Sequence, residues 1–216
     1  MDRPDPLETL TGTTELRGIY DEPTDRAKRK TLRRLDVHCR RFIALSPFLC
    51  LGTSSAAGSD VSPRGDAPGF VQVLDDTTLA IPDRPGNNRL DSLSNVLENP
   101  AVGLLFLVPG VDEILRVNGT ARVVTDGELL ARCEVNGKRP ASALVVEVRE
   151  AFLHCGKAAI RSRLWKDDYK VARGTLPSLG RMVTEQIDGG LSAEELEAKV
   201  KVADERIDDA YANRLY

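Results

Sequence analysis

The sequence lacks the features that place a chain in a membrane or outside the cell. Its most apolar run is Val102–Val111, far shorter than the roughly 20 residues that span a bilayer. Met1–Pro6 has no basic segment followed by an apolar one, so no secretory signal is visible. No CxxC pair occurs among the four cysteines, Cys39, Cys50, Cys133 and Cys155. We therefore expect a cytoplasmic protein with reduced thiols rather than a disulfide framework.

The motifs of several enzyme classes are missing as well. The 216 residues contain no GxGxxG, no phosphate loop ending in Gly-Lys-Ser/Thr, no HExxH and no GxSxG. His38 and His154 are the only histidines, too few for a zinc site, and we predict no metal. Each histidine precedes a cysteine. Neighbouring residues on a strand point to opposite faces, so neither pair forms a nucleophile and its base.

Charge of either sign is not in large excess, since the net charge is −3. This argues against a surface that binds nucleic acid throughout. The distribution is uneven, however: residues 24–41 carry eight basic and two acidic side chains, and residues 194–209 carry seven acidic and three basic ones. Two interpretations remain open, namely two solvated helix faces that attract each other, or a basic helix that meets an anionic partner.

The first 47 residues are predicted to be helical. Pro23-Thr24 is typical of a helix start, and the apolar spacing after it indicates a single stripe on one helix. Ser46-Pro47 ends that helix, because the residue before a proline avoids the helical region. The stripe consists of Leu32, Leu35, Cys39 and Phe42.

The middle of the chain changes to the pattern of strands. Roughly six strands are expected there, in an antiparallel arrangement, because long helices do not alternate with them. Proline in the stretch after Val61 predicts an edge strand or an irregular rim. The extended segments are 48–54, the stretch from residue 61, 70–74, 78–81, 102–108, 113–124 and 143–154.

Helices are predicted at three further places. Asn88–Glu98 and Asp126–Cys133 are short, and the C-terminal tail carries an apolar stripe at helical spacing, Leu196, Val200, Ala203, Ile207 and Tyr211. We divide the chain into an N-terminal helical segment (1–47), a barrel (48–155) and a C-terminal helical segment (156–216), together forming one structural domain.

Two segments predict an anion site. Val61–Gly69 and Ile81–Leu93 each crowd arginine, glycine and small polar residues beside a strand. The loop at Gly86–Arg89 enters the predicted helix, whose free N–H groups would face an anion, and Arg89 and Arg84 would add charge-assisted hydrogen bonds. Arg64 on the neighbouring strand would close the same pocket. The alternative is two rigid turns whose arginines are solvated.

A family resemblance is carried by VSPRGDAPGFVQVLDDTTLAIPDRPGNNRLDSLSNVLENPAVGLLFLVPG, residues 61–110. The stretch resembles the pyridoxamine 5'-phosphate oxidase-like flavoproteins, the FMN-binding split barrels. Arg64 matches the family's strand arginine on the FMN phosphate, and Ile81–Asp83 match a strand end along the flavin ring. Asn88-Arg89 match a polar–basic pair on the phosphate, and Asn99-Pro100 match the end of the helix. Three stretches are similar to sequences of a bacterial subgroup of FMN-dependent enzymes: SPRGDAPGF, IPDRPGNNRLDSL and HCGKAAIRSRLW.

The resemblance implies a six-stranded antiparallel split β-barrel with helical extensions at both ends, FMN as the cofactor, and a homodimer with FMN at the interface. It implies cofactor contacts from Arg64, Gly65, Ile81, Pro82, Asp83, Arg84, Asn87, Asn88 and Arg89. A wall from the partner chain would come from Lys157, Arg161, Ser162 and Trp165. Because three of these four recur at a spacing of four, we expect them on one helix face, although a packed helix with a core tryptophan fits equally well.

The sequence also departs from the family. The helix after Arg89 is longer than in pyridoxamine 5'-phosphate oxidases, and Asn213–Tyr216 stands where those enzymes carry an Arg-Leu-x-Pro that binds substrate. The substrate therefore stays open. We expect an oxidoreductase that transfers a hydride or two electrons with a small molecule. Two alternatives are a split barrel for a deazaflavin or haem, for which two histidines provide poor ligation, and a non-catalytic flavin-binding or regulatory protein.

Overall fold

The computed structural model describes residues 9–216, so the expectation about a signal at residues 1–6 lies outside the described part. A single 3₁₀ turn covers Asp167–Tyr169 within that part. The α-helices are α1 (Thr13–Ile19), α2 (Asp25–Arg29), α3 (Val37–Leu45), α4 (Asp91–Glu98), α5 (Gly127–Arg132), α6 (Lys157–Ser162), α7 (Leu179–Ile187) and α8 (Ala193–Asn213).

The strands form one antiparallel sheet in the order β2-β1-β5-β6-β7-β4-β3. Its edges, β2 and β3, do not pair with each other among the described residues, so the barrel stays open along one line. The predicted split barrel is confirmed, with seven strands because the two-residue β3 joins the edge. The strands are β1 (Phe48–Ser55), β2 (Gly58–Gly65), β3 (Gln72–Val73), β4 (Thr78–Pro82), β5 (Ala101–Leu107), β6 (Ile114–Val124) and β7 (Ala143–His154).

Alternation along the long strands places one face of the sheet in the core. On β6, Leu115 and Val117 are completely buried, whereas Arg116 and Asn118, which follow them in alternation, are half-buried on the outer face. Burying one such aliphatic side chain stabilises the fold by about 1.5–3 kcal/mol. The pairing of β6 with β7 shifts register at Asn118/Gly119. A Cβ at Gly119 would overlap the Glu147 carbonyl oxygen, so only glycine fits at this bulge.

The predicted single N-terminal helix is wrong. The chain forms α2 and α3 with an extended link between them, in which Leu32 bridges Ala151 of β7 in an isolated antiparallel pair. The Leu35 N–H donates to the Asp76 carbonyl at 2.7 Å, which also prevents helical pairing. Leu35 is nevertheless fully buried. The apolar spacing therefore marked residues that reach the barrel core, some from a helix and some from an extended segment.

The predicted helix at 88–98 begins three residues late, at Asp91. Asn88 and Leu90 have positive φ angles of 58° and 59°, which a helix excludes. Two amide contacts then fasten α4 to β1: the side chain of Asn95 donates to Thr53 at 3.1 Å, and that of Asn99 to Ser54 at 2.9 Å. This attachment positions the loop that precedes α4.

The irregular rim predicted from the prolines is confirmed in its position and corrected in its extent. β2 is an edge strand, but it pairs regularly with β1 as far as Gly65, including Pro63 opposite Cys50. The irregular part is confined to the residues after Gly65.

The C-terminal segment is a helical hairpin of α7 and α8. Gly180 lies so close to Asp204 that a Cβ would overlap its carboxylate, and the Gly180 N–H donates to that carboxylate at 3.1 Å. Of the predicted stripe on α8, Val200 is buried and Tyr211 is 60% exposed. The three-part division of the chain stays a prediction.

Between residues 9 and 216, no helix is both long and apolar enough to cross a membrane. The same range contains no group of three or more histidine, cysteine, aspartate or glutamate side chains that could hold a metal ion.

Candidate functional site

A cavity of about 950 Å³ opens beside the ends of β2 and β4. Its size lies in the upper part of the range of small-molecule and cofactor sites. One wall is the end of β2, a second is the loop from β4 to α4, and a third is the segment at 138–142 before β7. Eight of the nine predicted cofactor residues line it: Arg64, Gly65, Pro82, Asp83, Arg84, Asn87, Asn88 and Arg89.

Arg64 is the most unusual side chain of the cavity. Its Nη1 donates to Asp83 Oδ1 at 2.7 Å, and both side chains are only about one-fifth exposed, at 19% and 20%. Its Nε is buried and has no hydrogen-bond partner. A buried guanidinium N–H without a partner is costly, because it has given up its water. Arg64 therefore brings to the cavity wall a guanidinium with one unpaired N–H, a feature that Arg116 shares outside the cavity.

Arg84 is already satisfied by the protein. Its Nε donates to Asp66 Oδ2 at 2.7 Å and its Nη1 to the Cys133 carbonyl at 2.9 Å. The hydroxyl of Tyr216 donates to the other oxygen of Asp66 at 2.6 Å. Burial alone would raise the pKa of Asp66, but the hydrogen bonds from Tyr216, from the Ala67 amide and from Arg84 outweigh it and hold the pKa below its usual value. Arg84 thus builds the wall and has less freedom than Arg64 to bind a ligand.

The loop between Arg84 and α4 brings the other predicted residues to the cavity mouth. Asn87 uses its side-chain oxygen to accept from the Arg89 N–H at 3.1 Å, which is a local turn contact. The Arg89 guanidinium is exposed and donates to Asp91 at 2.7 Å. Because α4 begins at Asp91, the free N–H groups of its first turn come after Arg89, and the anion cradle at this helix start stays a prediction. The side chain of Arg89 can still turn into the cavity, since it is not buried.

The other predicted residues lie elsewhere. Ile81 points into the core and is 1% exposed. Lys157, Arg161 and Ser162 lie on or at the end of α6, outside the cavity. The expected shared helix face with Trp165 is wrong, because α6 ends at Ser162 and a left-handed Arg163 turns the chain away. The Trp165 indole instead donates to the Val111 carbonyl at 2.9 Å.

The structure adds residues to the cavity that lie outside the two predicted segments: Asp60, Phe70, Lys138, Arg139, Ser142 and Tyr216. The Ser62 and Ser92 hydroxyls lie 2.9 Å apart and join β2 to α4. Asn136 and Gly137 form a tight turn, with positive φ angles of 52° and 75°, and this turn presents Lys138. The Asn-Gly pair is a turn signal in the sequence, but nothing in the spacing shows that the turn reaches the end of β4.

Neither histidine lines the cavity. His154 lies on the outer face of the sheet, with its ring 4.7 Å from that of Phe152, whose other neighbours are the cations of Arg116 and Lys30. Burial and then the charges of Arg116 and Lys30 lower the pKa of His154. A haem or metal in the cavity would have no histidine ligand from this chain.

Comparison with known proteins gives one family. The family model described as pyridoxamine 5'-phosphate oxidase matches residues 35–155, more than half of the chain. No protein with a curated function matches.

Solved structures give more distant similarities. HupZ from Group A Streptococcus is 16% identical with a TM-score of 0.45, over 55% of this chain and 92% of that one. A pyridoxamine 5'-phosphate oxidase candidate from Lactobacillus delbrueckii is 21% identical with a TM-score of 0.44, over 56% and 95%. An FMN-binding protein from Syntrophomonas wolfei is 15% identical with a TM-score of 0.41, over 54% and 81%.

The matched range begins at the buried Leu35, includes every strand of the sheet and ends just after β7. The same range contains the end of β2 with Arg64 and the loop with Arg89. The chain belongs to the pyridoxamine 5'-phosphate oxidase family.

Proposed function

We propose that the cavity binds FMN, with the cofactor's phosphate on Arg64. The observation that carries this proposal is the buried, unpartnered Nε of Arg64 in a cavity of about 950 Å³. Arginine–phosphate hydrogen bonds are charge-assisted, and a phosphate oxygen supplies the acceptor that Nε lacks. The compact group of arginines, with no glycine-rich turn for a pyrophosphate, favours FMN over FAD.

The other residues take roles that follow from their positions. The exposed Arg89 can exchange its ion pair with Asp91 for the phosphate, and Asn87, Asn88 and the exposed Gly65 line the same cavity. Pro82 and Asp83 form the wall beside the proposed ring or ribityl chain. Asp83 limits the negative charge that the site accepts, because it already neutralises part of Arg64.

We propose that the protein is an oxidoreductase that uses FMN and acts on a small molecule. When bound, FMN supplies transfer of a hydride or two electrons. The chain's own residues bind and orient the cofactor, and they exclude water from one side of it. The arginines of the cavity wall supply positive charge where the reduced flavin carries negative charge.

The site is proposed to be completed by a second copy of the chain. Lys157 and Arg161 are exposed and have no ion-pair or hydrogen-bond partner among the described residues. The same helix exposes Ile160 at 60%, and Leu164 just after it is 48% exposed. An apolar patch between unpaired cations fits a surface that a second chain covers. In this arrangement α6 of one chain and Trp165 lie over the cavity of the other.

We also propose that the protein works in a reducing compartment. All four cysteines are free, Cys39 and Cys133 in buried positions and Cys155 exposed. This pattern supports a location in the cytoplasm, where thiols stay reduced.

The first test is the absorption spectrum of the purified protein, followed by mass identification of the released ligand. We expect the two visible bands of an oxidised flavin and the mass of FMN. FAD or haem at one equivalent per chain would overturn the proposal. Failure of the ligand-free protein to bind added FMN in a fluorescence titration would overturn it equally.

The second test compares two arginines. Arg64→Gln removes the unpartnered donor and should weaken FMN binding by about ten- to a hundredfold, the value of a hydrogen bond to a charged group. Arg149→Gln is the matched control, because Arg149 is also a strand arginine beside a carboxylate, Glu147, but lies outside the cavity. Equal affinities of the two variants would remove Arg64 from the site.

A further inference from the structure

Residues Arg214–Tyr216, the tail segment, return from the end of α8 to the wall of the cavity. Tyr216 contacts three different loops. Its hydroxyl donates to Asp66 at 2.6 Å, and its carbonyl accepts from Lys138 Nζ at 2.8 Å. The guanidinium of Arg84 lies 5.4 Å from the centre of its ring. One residue thus joins the loop after β2, the loop after β4 and the turn before β7.

The contact with Asp66 is the most demanding of the three. The Asp66 side chain is only 2% exposed, so its charge depends on hydrogen bonds from the protein. Tyr216, the Ala67 amide and Arg84 provide them. Without the Tyr216 hydroxyl, one carboxylate oxygen would lose its side-chain donor while the other still held Arg84. The tail segment is therefore coupled to the position of Arg84 in the cavity wall.

Nothing in the rest of α8 requires this contact. The helix packs on α7, and Tyr211, which lies in its last turn, is 60% exposed. Leu215 is also 60% exposed, so the tail segment is not held by apolar burial of that residue. Its attachment depends on the polar contacts of Tyr216, which can break and reform without unfolding the barrel.

We propose that Tyr216 is a positioning residue of the cavity, which holds the Asp66–Arg84 pair in place and slows the exchange of the bound ligand. The choice of FMN as that ligand rests on the proposed function. The coupling between Tyr216 and the loops does not rest on it and can be measured without any ligand.

The experiment uses full-length Tyr216→Phe and Tyr216→Ala, with Tyr211→Phe and Tyr211→Ala on the preceding helix α8 as matched controls. The first readout is hydrogen–deuterium exchange of the ligand-free proteins. We expect faster exchange in residues 66–69 and 84–86 for both Tyr216 variants, and wild-type exchange there for both Tyr211 variants. The second readout is the rate of FMN release, measured by stopped-flow dilution into a flavin-free competitor apoprotein.

We expect release to accelerate about fivefold or more in Tyr216→Phe, since one hydrogen bond to a charged acceptor is lost. A larger acceleration is expected in Tyr216→Ala, which also opens the wall. Tyr216→Phe is conservative, and an unchanged melting temperature shows that it folds. Wild-type exchange and wild-type release in both Tyr216 variants would overturn the proposal.

The two proposals fail differently. If wild-type protein does not bind FMN, the proposed function is wrong, and the exchange data alone decide the role of Tyr216. Faster exchange at the two loops would then support the coupling, and unchanged exchange would overturn it.

Discussion

Arg64 and Arg84 are two largely buried arginines of the same cavity that differ in how many of their N–H groups have a partner. Arg84 donates from Nε and Nη1 to groups of the protein, whereas Arg64 donates from Nη1 and leaves Nε unpaired. A buried donor without a partner destabilises the ligand-free protein and raises the affinity for a ligand that pairs with it. Of these two cavity arginines, Arg64 is therefore the better candidate for binding a ligand.

The side chain of Arg89 gives a prediction about a single residue. Arg89→Ala should weaken FMN binding by about ten- to a hundredfold, through the loss of a charge-assisted contact worth roughly 1.5–3 kcal/mol. The free energy of unfolding should hardly change, because the side chain is 72% exposed and its ion pair with Asp91 lies at the surface. Fluorescence titration and urea unfolding measure the two quantities. An unchanged dissociation constant would remove Arg89 from the site.

His154 predicts a dependence of stability on pH. Burial and the nearby cations Arg116 and Lys30 lower its pKa below the usual 6.5, so the unfolded chain takes up this proton first as the pH falls. The contribution of His154 to stability is complete above pH 6.5 and is lost as the pH falls through the lowered pKa. His154→Gln should make the free energy of unfolding less dependent on pH below 6.5. Urea unfolding at several pH values measures this, with His38→Gln as the control, and an unchanged slope in His154→Gln would contradict it.

At the scale of elements, alternation and turn residues predicted the strands well. β7 begins and ends where the sequence places it, and the bounds of β5 and β6 differ by one residue. These strands alternate or run apolar because they pair along most of their length and keep one face buried, with one bulge between β6 and β7. Helix bounds were predicted less well where a tertiary contact competes with local preference, as at Leu32, whose bridge to Ala151 joins residues that are remote in sequence.

The candidate site shows the same limit. Arg64 and the loop at 83–89 could be predicted, because each carries its chemistry in a short segment. Lys138 and Tyr216 could not, because their part in the cavity depends on where a turn and a helix end arrive in space. Tyr216 and its partner Asp66 are separated by 150 positions.

The bulge between β6 and β7 gives a prediction about Gly119. In Gly119→Ala the added Cβ would overlap the Glu147 carbonyl oxygen, so the two strands must separate locally. We expect a loss of about 1–3 kcal/mol in the free energy of unfolding, as for other overpacked core sites. Gly127→Ala is the matched control, because nothing lies within 4 Å of its Cβ and alanine favours the helix. Equal stability of the two variants in urea would contradict the need for glycine at the bulge.

At the scale of the whole molecule we expect a homodimer. An obligate interface of this kind should bury more than ~2,000 Å² in total and should have two-fold symmetry. Light scattering coupled to size exclusion at low micromolar concentration should give twice the mass of one chain. A clean monomer that retains one FMN per chain would contradict the prediction and would leave Lys157 and Arg161 outside the site.

A variant on α6 tests where the second chain binds. Ile160→Glu places a charge in the exposed apolar patch and should shift the protein towards monomers with weaker FMN binding. Ile19→Glu on α1 is the control, because Ile19 is similarly exposed at 63% but lies on another helix. Dimers of wild-type affinity in Ile160→Glu would exclude this helix from the interface.

The open line of the barrel has a consequence for solubility. An unpaired strand edge can recruit a strand from another molecule, and this is a route to aggregates and fibrils. The two edges of this sheet are poor templates for such growth. β3 offers only two residues, and β2 carries Pro63, whose nitrogen cannot donate a hydrogen bond. The barrel can therefore stay open between β2 and β3 without offering a long, regular edge along which further chains would stack.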